Sequence, residues 1–130
     1  MSTTTSPAFS HPDLGPVIDG MSDDQLDQLE FGVIGFDADT TVRRYSAYES
    51  RMAGLSPDRV LGAALFTSVA PCMNNFLVAQ RFEDAAIDGT TLDAEIDYVL
   101  TLRMRPSKVK LRLLAAPGMS LRYVLVNRRL

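Results

Sequence analysis

Hydrophobic and polar residues alternate most regularly between residues 92 and 105. The apolar positions of this segment are Leu92, Ala94, Ile96, Tyr98, Leu100, Leu102 and Met104. Successive side chains of a strand point to opposite faces of a sheet, so a period of two is typical of a strand with one face on the core. The pattern therefore predicts one long strand over this segment.

Four further strands are predicted from shorter patterns that are bounded by turn residues. They cover residues 31–36, 41–45, 108–115 and 121–127. The connections between neighbouring strands in the last third are short, which favours antiparallel pairing. With several short helices between the second and third strands, we expect an α+β fold in which one face of the sheet carries the helices.

The helix signals are local. Ser22 and Gln25 have the spacing of a capping box, and a second short helix over 46–53 is predicted to close at Gly54. Ser56 and Pro57 begin a further helical turn. A longer helix should follow Asn74 or Asn75 and end at Asp88-Gly89. Its apolar stripe, predicted to face the core, consists of Phe76, Ala79, Phe82 and Ala86.

The length of 130 residues suits one domain with one hydrophobic core. Residues 1–20 are rich in Ser, Thr, Pro and Gly and are predicted to be a loosely ordered lead-in to a domain over 21–130. The segment has few apolar anchors, namely Phe9, Leu14, Val17 and Ile18. There is no apolar run of about 20 residues and no pattern of a secretory signal, so we expect a cytoplasmic protein that binds no membrane.

The net charge of −3 argues against a nucleic-acid binder, which would carry a basic excess on one face. The basic residues of the last third mostly alternate with apolar ones and are interpreted as a solvated sheet face. They are Arg103, Arg105, Lys108, Lys110, Arg112, Arg122, Arg128 and Arg129.

The chain has a single cysteine, Cys72, and a single histidine, His11, which excludes an internal disulfide and disfavours a metal cluster or a Cys-His catalyst. No glycine-rich nucleotide-binding motif is present. We therefore expect that the protein is not an enzyme. On residue chemistry alone, Cys72 is more simply a small buried hydrophobe than a reactive group.

Four segments, in order along the chain, change that interpretation. They are QLDQLEFG at 25–32, RYSAYE at 44–49, VAPC at 69–72 and MRPSKV at 104–109. Together they resemble the photoactive yellow protein family, which consists of blue-light sensors of the PAS fold. The resemblance runs from about residue 21 to the C-terminus. It implies a five-stranded antiparallel sheet flanked by short helices.

The resemblance also implies a cofactor, p-coumaric acid, attached as a thioester to Cys72 and buried as its phenolate. Tyr45 and Glu49 would donate hydrogen bonds to the phenolate oxygen, and the backbone N–H of Cys72 would bond the thioester carbonyl. The residues expected to line or adjoin this pocket are Ile34, Leu65, Val69, Ala70, Tyr98, Leu100 and Met104.

The expected chemistry is consistent with these residue types. A phenol ionises near pH 10, so a buried phenolate needs strong donors, and Glu49 can donate only while it is protonated. Isomerisation by light would break this arrangement, and Glu49 would then give its proton to the phenolate. The resulting buried carboxylate would be relieved by local unfolding, for which residues 1–20 are the best candidates.

The sequence departs from the family at Ala53, Leu55, Asn74-Asn75 and Leu100. Ala53 replaces a residue that often has a hydroxyl group, and Leu55 replaces an arginine that often gates the pocket. Both bear on colour and recovery rate rather than on binding. An alternative remains open: a chromophore-free PAS domain that binds a partner protein or a small apolar ligand. For the sensor we expect a downstream signalling protein as partner, and a monomer or weak dimer.

Overall fold

The computed structural model describes residues 7–101 and 106–128. Its α-helices are α1 (Leu14–Asp19), α2 (Asp23–Leu26), α3 (Ala47–Ala53), α4 (Pro57–Val60) and α5 (Ala79–Asp88). Its strands are β1 (Gly32–Phe36), β2 (Val42–Tyr45), β3 (Leu92–Leu100), β4 (Ser107–Ala115) and β5 (Arg122–Asn127). A π-helical turn and a 3₁₀ turn, Leu65–Val69 and Pro71–Met73, lie between α4 and α5.

The five strands form one antiparallel sheet in the order β2-β1-β5-β4-β3. The predicted fold class is thus confirmed. The central pairing joins β1 to β5, with Gly32 opposite Val126 and Ile34 opposite Val124. This pairing brings the beginning of the domain beside its end, and it positions the candidate site.

The inner face of the sheet packs against the helices and turns that connect β2 to β3. Val124 and Val126 of β5 and Leu111 and Leu113 of β4 are fully buried there. Phe36 makes edge-to-face contacts with Phe66 and Phe82, at centroid distances of 5.5 and 4.9 Å. Such aromatic packing adds to the stability that area burial alone gives. This face is the core that the alternating pattern of β3 and β4 predicts.

The outer face is also covered, which corrects the expectation of a single helix-bearing face. Leu14 and Ile18 of α1 are fully buried against Leu114, Tyr123 and Leu125 of the sheet. The segment 14–19, expected to be loosely ordered, is therefore helical in the structure. Pro16 lies in the first turn of α1, where backbone N–H groups have no helical partner and a proline is tolerated.

Arg112 of β4 was predicted to lie on a solvated face of the sheet but is buried. It is 5% exposed, and its guanidinium pairs with both carboxylate oxygens of Asp93 at 2.8 and 2.9 Å. The same guanidinium donates to the carbonyls of Phe9 and His11, each at 2.8 Å. The prediction of a solvated side chain is wrong here, because Arg112 holds the N-terminal segment against the sheet.

The local helix signals are mostly confirmed. Ser22 Oγ accepts from Gln25 N at 3.2 Å while Gln25 Oε1 accepts from Ser22 N at 2.8 Å, which completes the capping box. Gly54 and Gly89 end α3 and α5 in the left-handed conformation, at φ 72° and 65°. Glycine adopts this conformation without the steric cost of a Cβ atom.

The predicted stripe of α5 is wrong at its two ends. Phe76 is 83% exposed and precedes the helix, and Ala86 is also exposed. Val78, Phe82 and Ala85 are buried instead. Asn75 Oδ1 accepts from the backbone N–H groups of residues 77 and 78, and this turn delays the helix until Ala79.

The predicted strand over 92–105 is observed from Leu92 to Leu100, and residues 102–105 lie outside the described part of the chain. Among the residues that the structure describes, no helix is long and apolar enough to cross a membrane.

Candidate functional site

The inner core gathers the residues that the sequence predicts as a site. Those buried in it are Ile34, Tyr45, Leu65, Ala70, Tyr98 and Leu100, and Val69 and Cys72 pack against them. Met104, the remaining predicted lining residue, lies outside the described residues. Glu49 adjoins the cluster beside Tyr45 and is 2% exposed. The structure therefore brings the thiol, the phenol and the carboxyl group to one side of the sheet.

Tyr45 is the last residue of β2 and is paired with Ile34 of β1. Its side chain is 9% exposed. Burial raises the pKa of the Tyr45 hydroxyl well above its ordinary value, and the nearby Glu49 raises it further, while Arg128 opposes both. Tyr45 therefore stays protonated at neutral pH and can act as a hydrogen-bond donor.

Glu49 is placed by the beginning of α3. Ser46, which is fully buried, caps this helix: its Oγ accepts from Glu49 N at 3.3 Å and from Val33 N at 3.0 Å. Ser46 N also donates to the carbonyl of Val33 at 3.0 Å. A serine at this position satisfies N–H groups of both the helix and β1. Because of these bonds, the carboxyl group of Glu49 is carried over the start of β1.

Gly32 makes room for that carboxyl group. A Cβ atom at Gly32 would overlap Oε1 of Glu49 and lie 3.2 Å from its Cβ. The backbone of β1 can approach Glu49 this closely only because the residue has no side chain. Gly32 belongs to the segment 25–32 that carries the resemblance. Its function, which is to leave space for the side chain of Glu49, follows from the structure.

Arg128 is the partner of Glu49 that the sequence interpretation missed. Its Nη1 and Nη2 donate to Oε1 and Oε2 of Glu49 at 2.7 and 3.0 Å. Burial raises the pKa of Glu49, and the Arg128 guanidinium works in the opposite direction. Arg128 was expected on a solvated face, and that expectation is wrong: only 13% of its side chain is exposed.

Strand parity could have indicated this pair. Arg128 is two residues beyond Val126, so a continued period of two directs both toward the inner face. Val126 pairs with Gly32, the residue beneath Glu49.

Cys72 lies in the 3₁₀ turn Pro71–Met73 and is half-buried. Its carbonyl accepts hydrogen bonds from Tyr98 Oη at 2.5 Å and from Asn75 Nδ2 at 3.1 Å. Asn75 Nδ2 also donates to Tyr98 Oη at 2.6 Å. These contacts tie the cysteine turn to β3, so Tyr98 positions the turn in addition to lining the cluster, which sequence reasoning did not show.

The residues present fit a covalently bound phenolic acid. The one thiol of the chain packs against an apolar cluster, and a buried phenol and a buried carboxyl group adjoin the same cluster. Two of the departures from the family are apolar residues: Ala53 is 6% exposed, and Leu55 packs against the inner cluster. A thiol, apolar walls and polar groups confined to one place are the elements of a site for an aromatic acyl group.

Comparison with solved structures first defines the fold class. PAS domains share the fold at low identity: the PAS domain of the Cronobacter turicensis RpfR receptor aligns over 79% of the chain and 97% of its own, with a TM-score of 0.61 at 12% identity. At that identity the likeness concerns the fold alone. The photoactive yellow protein domain of the sensor histidine kinase Ppr from Rhodospirillum centenum aligns far better. It has a TM-score of 0.77 and 38% identity, over 86% of this chain and 97% of that domain.

Sequence relatives then identify the family. The photoactive yellow protein of Rhodothalassium salexigens is 34% identical over 105 residues, which is 81% of this chain and 83% of that protein. The protein of the same name from Halochromatium salexigens is 35% identical over the same length. No protein-family model matches the chain. The chain belongs to the photoactive yellow protein family, a group of PAS-type photoreceptors, and the predicted resemblance is confirmed.

Proposed function

We propose that the chain is a blue-light photoreceptor, rather than an enzyme, that holds p-coumaric acid as a thioester on Cys72. The observation that carries this proposal is the convergence of Cys72, Tyr45 and Glu49 on one apolar cluster in a member of this family. The lining would include the predicted residues that the structure describes, Ile34, Leu65, Val69, Ala70, Tyr98 and Leu100. Met104 remains a predicted lining residue outside the described part of the chain.

When bound, the group supplies absorption of visible light, a double bond that light isomerises and a phenolic oxygen that can take up a proton. Tyr45 serves as a permanent donor, because burial keeps its hydroxyl protonated. Glu49 serves as a conditional donor. Burial favours its protonated form, and a second negative charge beside it would favour that form further. The dark state is thus one in which Glu49 holds its proton, and light leads to its loss.

Loss of that proton places a carboxylate in an apolar core, where Glu49 must change partners because an unpaired buried charge is costly. A movement of Glu49 can displace α3, the helix that carries it. Asp27 Oδ1 accepts a hydrogen bond from Ala47 N at 2.8 Å, so a displacement of α3 would also reach the end of α2. The N-terminal segment that precedes α2 covers the outer face, and Arg44 and Arg112 hold it there through its backbone carbonyls. Its release is the proposed signal to a downstream protein.

A second candidate is a PAS module without a chromophore. It is favoured by the ion pair of Glu49 and Arg128, which satisfies both carboxylate oxygens within the protein. On this hypothesis Glu49 is a structural core residue and Cys72 a small hydrophobe.

Reaction of the purified chain with an activated ester of p-coumaric acid separates the two candidates. The photoreceptor predicts one added acyl group on Cys72, detected by peptide mass mapping, and a visible absorption band. Cys72→Ala should give neither. Tyr45→Phe and Glu49→Gln should keep the adduct but shift the band, because each alters a donor at the phenolic oxygen. A folded protein that forms no adduct would support the chromophore-free module.

A further inference from the structure

Arg128 lies directly beyond β5 and beside the start of β1, where Val126 is paired with Gly32. Glu49 reaches the same place from α3, over the backbone of Gly32. The two side chains thus arrive from separate elements and meet at a point where β1 has no side chain. Arg128 is well placed to bind the Glu49 carboxylate, because both residues lie at the same end of the central strand pair.

The contact is a two-pronged ion pair. Each oxygen of Glu49 accepts from a different guanidinium nitrogen, Nη1 at 2.7 Å and Nη2 at 3.0 Å. This geometry matches a carboxylate, which has acceptors on both oxygens and no proton to donate. A Glu49 that donates a hydrogen bond to a chromophore must hold a proton on one of those oxygens. Glu49 therefore cannot have both sets of partners at once.

We propose that Arg128 is the alternative partner of Glu49, which holds it as a carboxylate in the chromophore-free protein and receives that carboxylate again after Glu49 has lost its proton in the light. The second half of this statement rests on the proposed function. Arg128 is a positioning residue in this account: it acts through Glu49 and sets how long the deprotonated state lasts.

The surroundings of the pair support this balance. Burial raises the pKa of Glu49, whereas Arg128 opposes the rise. Within residues 7–101 and 106–128, Tyr45 interacts electrostatically with both partners and Tyr48 with Arg128. Burial keeps Tyr45 neutral at physiological pH, so the guanidinium is the group that can hold Glu49 ionised.

The first test uses the protein without chromophore. Infrared titration would follow the protonated carboxyl band of Glu49, assigned by its loss in Glu49→Gln. We expect Arg128→Gln to raise the pH midpoint of this band by about one unit or more, since an adjacent opposite charge shifts a pKa by that amount. Arg128→Lys keeps the positive charge but cannot bind both carboxylate oxygens through two planar nitrogens. Its pH midpoint should lie between those of Arg128→Gln and the parent protein.

Arg122→Gln is the matched control, because Arg122 is half-buried at the opposite end of β5, where it pairs with Phe36. It should leave the midpoint unchanged. An unchanged midpoint in Arg128→Gln, or an equal rise in Arg122→Gln, would overturn the proposal.

The second test uses the chromophore-loaded protein and measures dark recovery after a flash. Arg128→Gln removes the partner of the light-state carboxylate, so recovery should be at least about tenfold faster than in the parent protein or in Arg122→Gln. Equal recovery rates would overturn the proposal that Arg128 receives the Glu49 carboxylate after illumination. If no adduct forms, the proposed function is wrong, and the infrared titration still decides whether Arg128 holds Glu49.

Discussion

Arg44 and Tyr45 are neighbours on β2 whose side chains lie on opposite faces of the sheet. Tyr45 belongs to the inner cluster with the candidate site, whereas Arg44 reaches the N-terminal segment on the outer face. The Arg44 guanidinium donates to the carbonyls of Ile18 and Met21 and pairs with Asp23 at 3.0 Å. A two-residue stretch of backbone therefore links the site to the segment whose release is proposed as the signal.

Arg44→Gln should loosen the N-terminal segment and leave the inner face intact. The loss of charged hydrogen bonds to two carbonyls should lower the free energy of unfolding by roughly 2–3 kcal/mol. Hydrogen exchange of the amides in 14–26 should accelerate. Arg43→Gln is the control on the adjacent residue, because the Arg43 side chain is 56% exposed and pairs with Asp37 rather than with the N-terminal segment described from residue 7 onward. Equal protection of 14–26 in both variants would contradict the assigned contact.

Gly32→Ala should displace the side chain of Glu49 and leave Tyr45, the other proposed hydrogen-bond donor, in place. The added methyl group would overlap Oε1 of Glu49, so the Glu49 side chain must shift, which should weaken its pair with Arg128. We expect a loss of about 1–3 kcal/mol in thermal or denaturant unfolding, as for overpacked cores.

Gly118→Ala provides the control for that substitution, since a Cβ atom at Gly118 meets nothing within 4 Å. Its effect should stay within about 0.5 kcal/mol. Comparable losses in the two variants would mean that space at Gly32 is not what Glu49 requires.

The buried hydroxyl group of Tyr123 should make the free energy of unfolding depend on pH in the alkaline range. Burial raises the pKa of its hydroxyl to about 12. Above pH 10 the unfolded chain loses this proton while the folded chain keeps it, so the free energy of unfolding falls as the pH rises from 10 toward about 12. The contribution should be roughly 1–2 kcal/mol.

Denaturant unfolding at a series of alkaline pH values, compared with Tyr123→Phe, measures this contribution. The variant also loses the hydrogen bond to Asp19 at 2.8 Å, so it should be less stable at pH 8 and flatter above pH 10. A variant curve parallel to the parent curve throughout would refute the assignment to Tyr123.

Much of the fold could be predicted from periodicity because the inner face has a single, regular environment. The alternation of β3 is reproduced from Leu92 to Leu100, and the capping box at Ser22 forms as expected. These signals depend on residues that are close together in the chain, so they can be recognised from the sequence alone. The site residues Tyr45, Glu49 and Cys72 could be named only through the resemblance, because each has a simpler structural interpretation when taken alone.

The contacts that sequence reasoning missed are long-range and polar. Arg112 alternates with apolar residues and Arg128 lies in a polar run at the end of β5, both typical of a solvated face, but each is buried by a segment distant in the chain. Phe9, Leu14 and Ile18 are too sparse in a Ser-, Thr- and Pro-rich stretch to indicate a second core. Strand parity indicates the face on which Arg128 lies, but the partner of each arginine depends on which distant segments meet, and a local pattern does not contain that information.

The most direct test of the central claim is the visible spectrum of the reconstituted protein in the dark, after blue light and during return to the dark. A photoreceptor of this kind should show an absorption band that bleaches in the light, recovers fully in the dark and is absent in Cys72→Ala. A well-folded protein with no such band, or a Cys72→Ala variant that is coloured and responds to light, would contradict the claim.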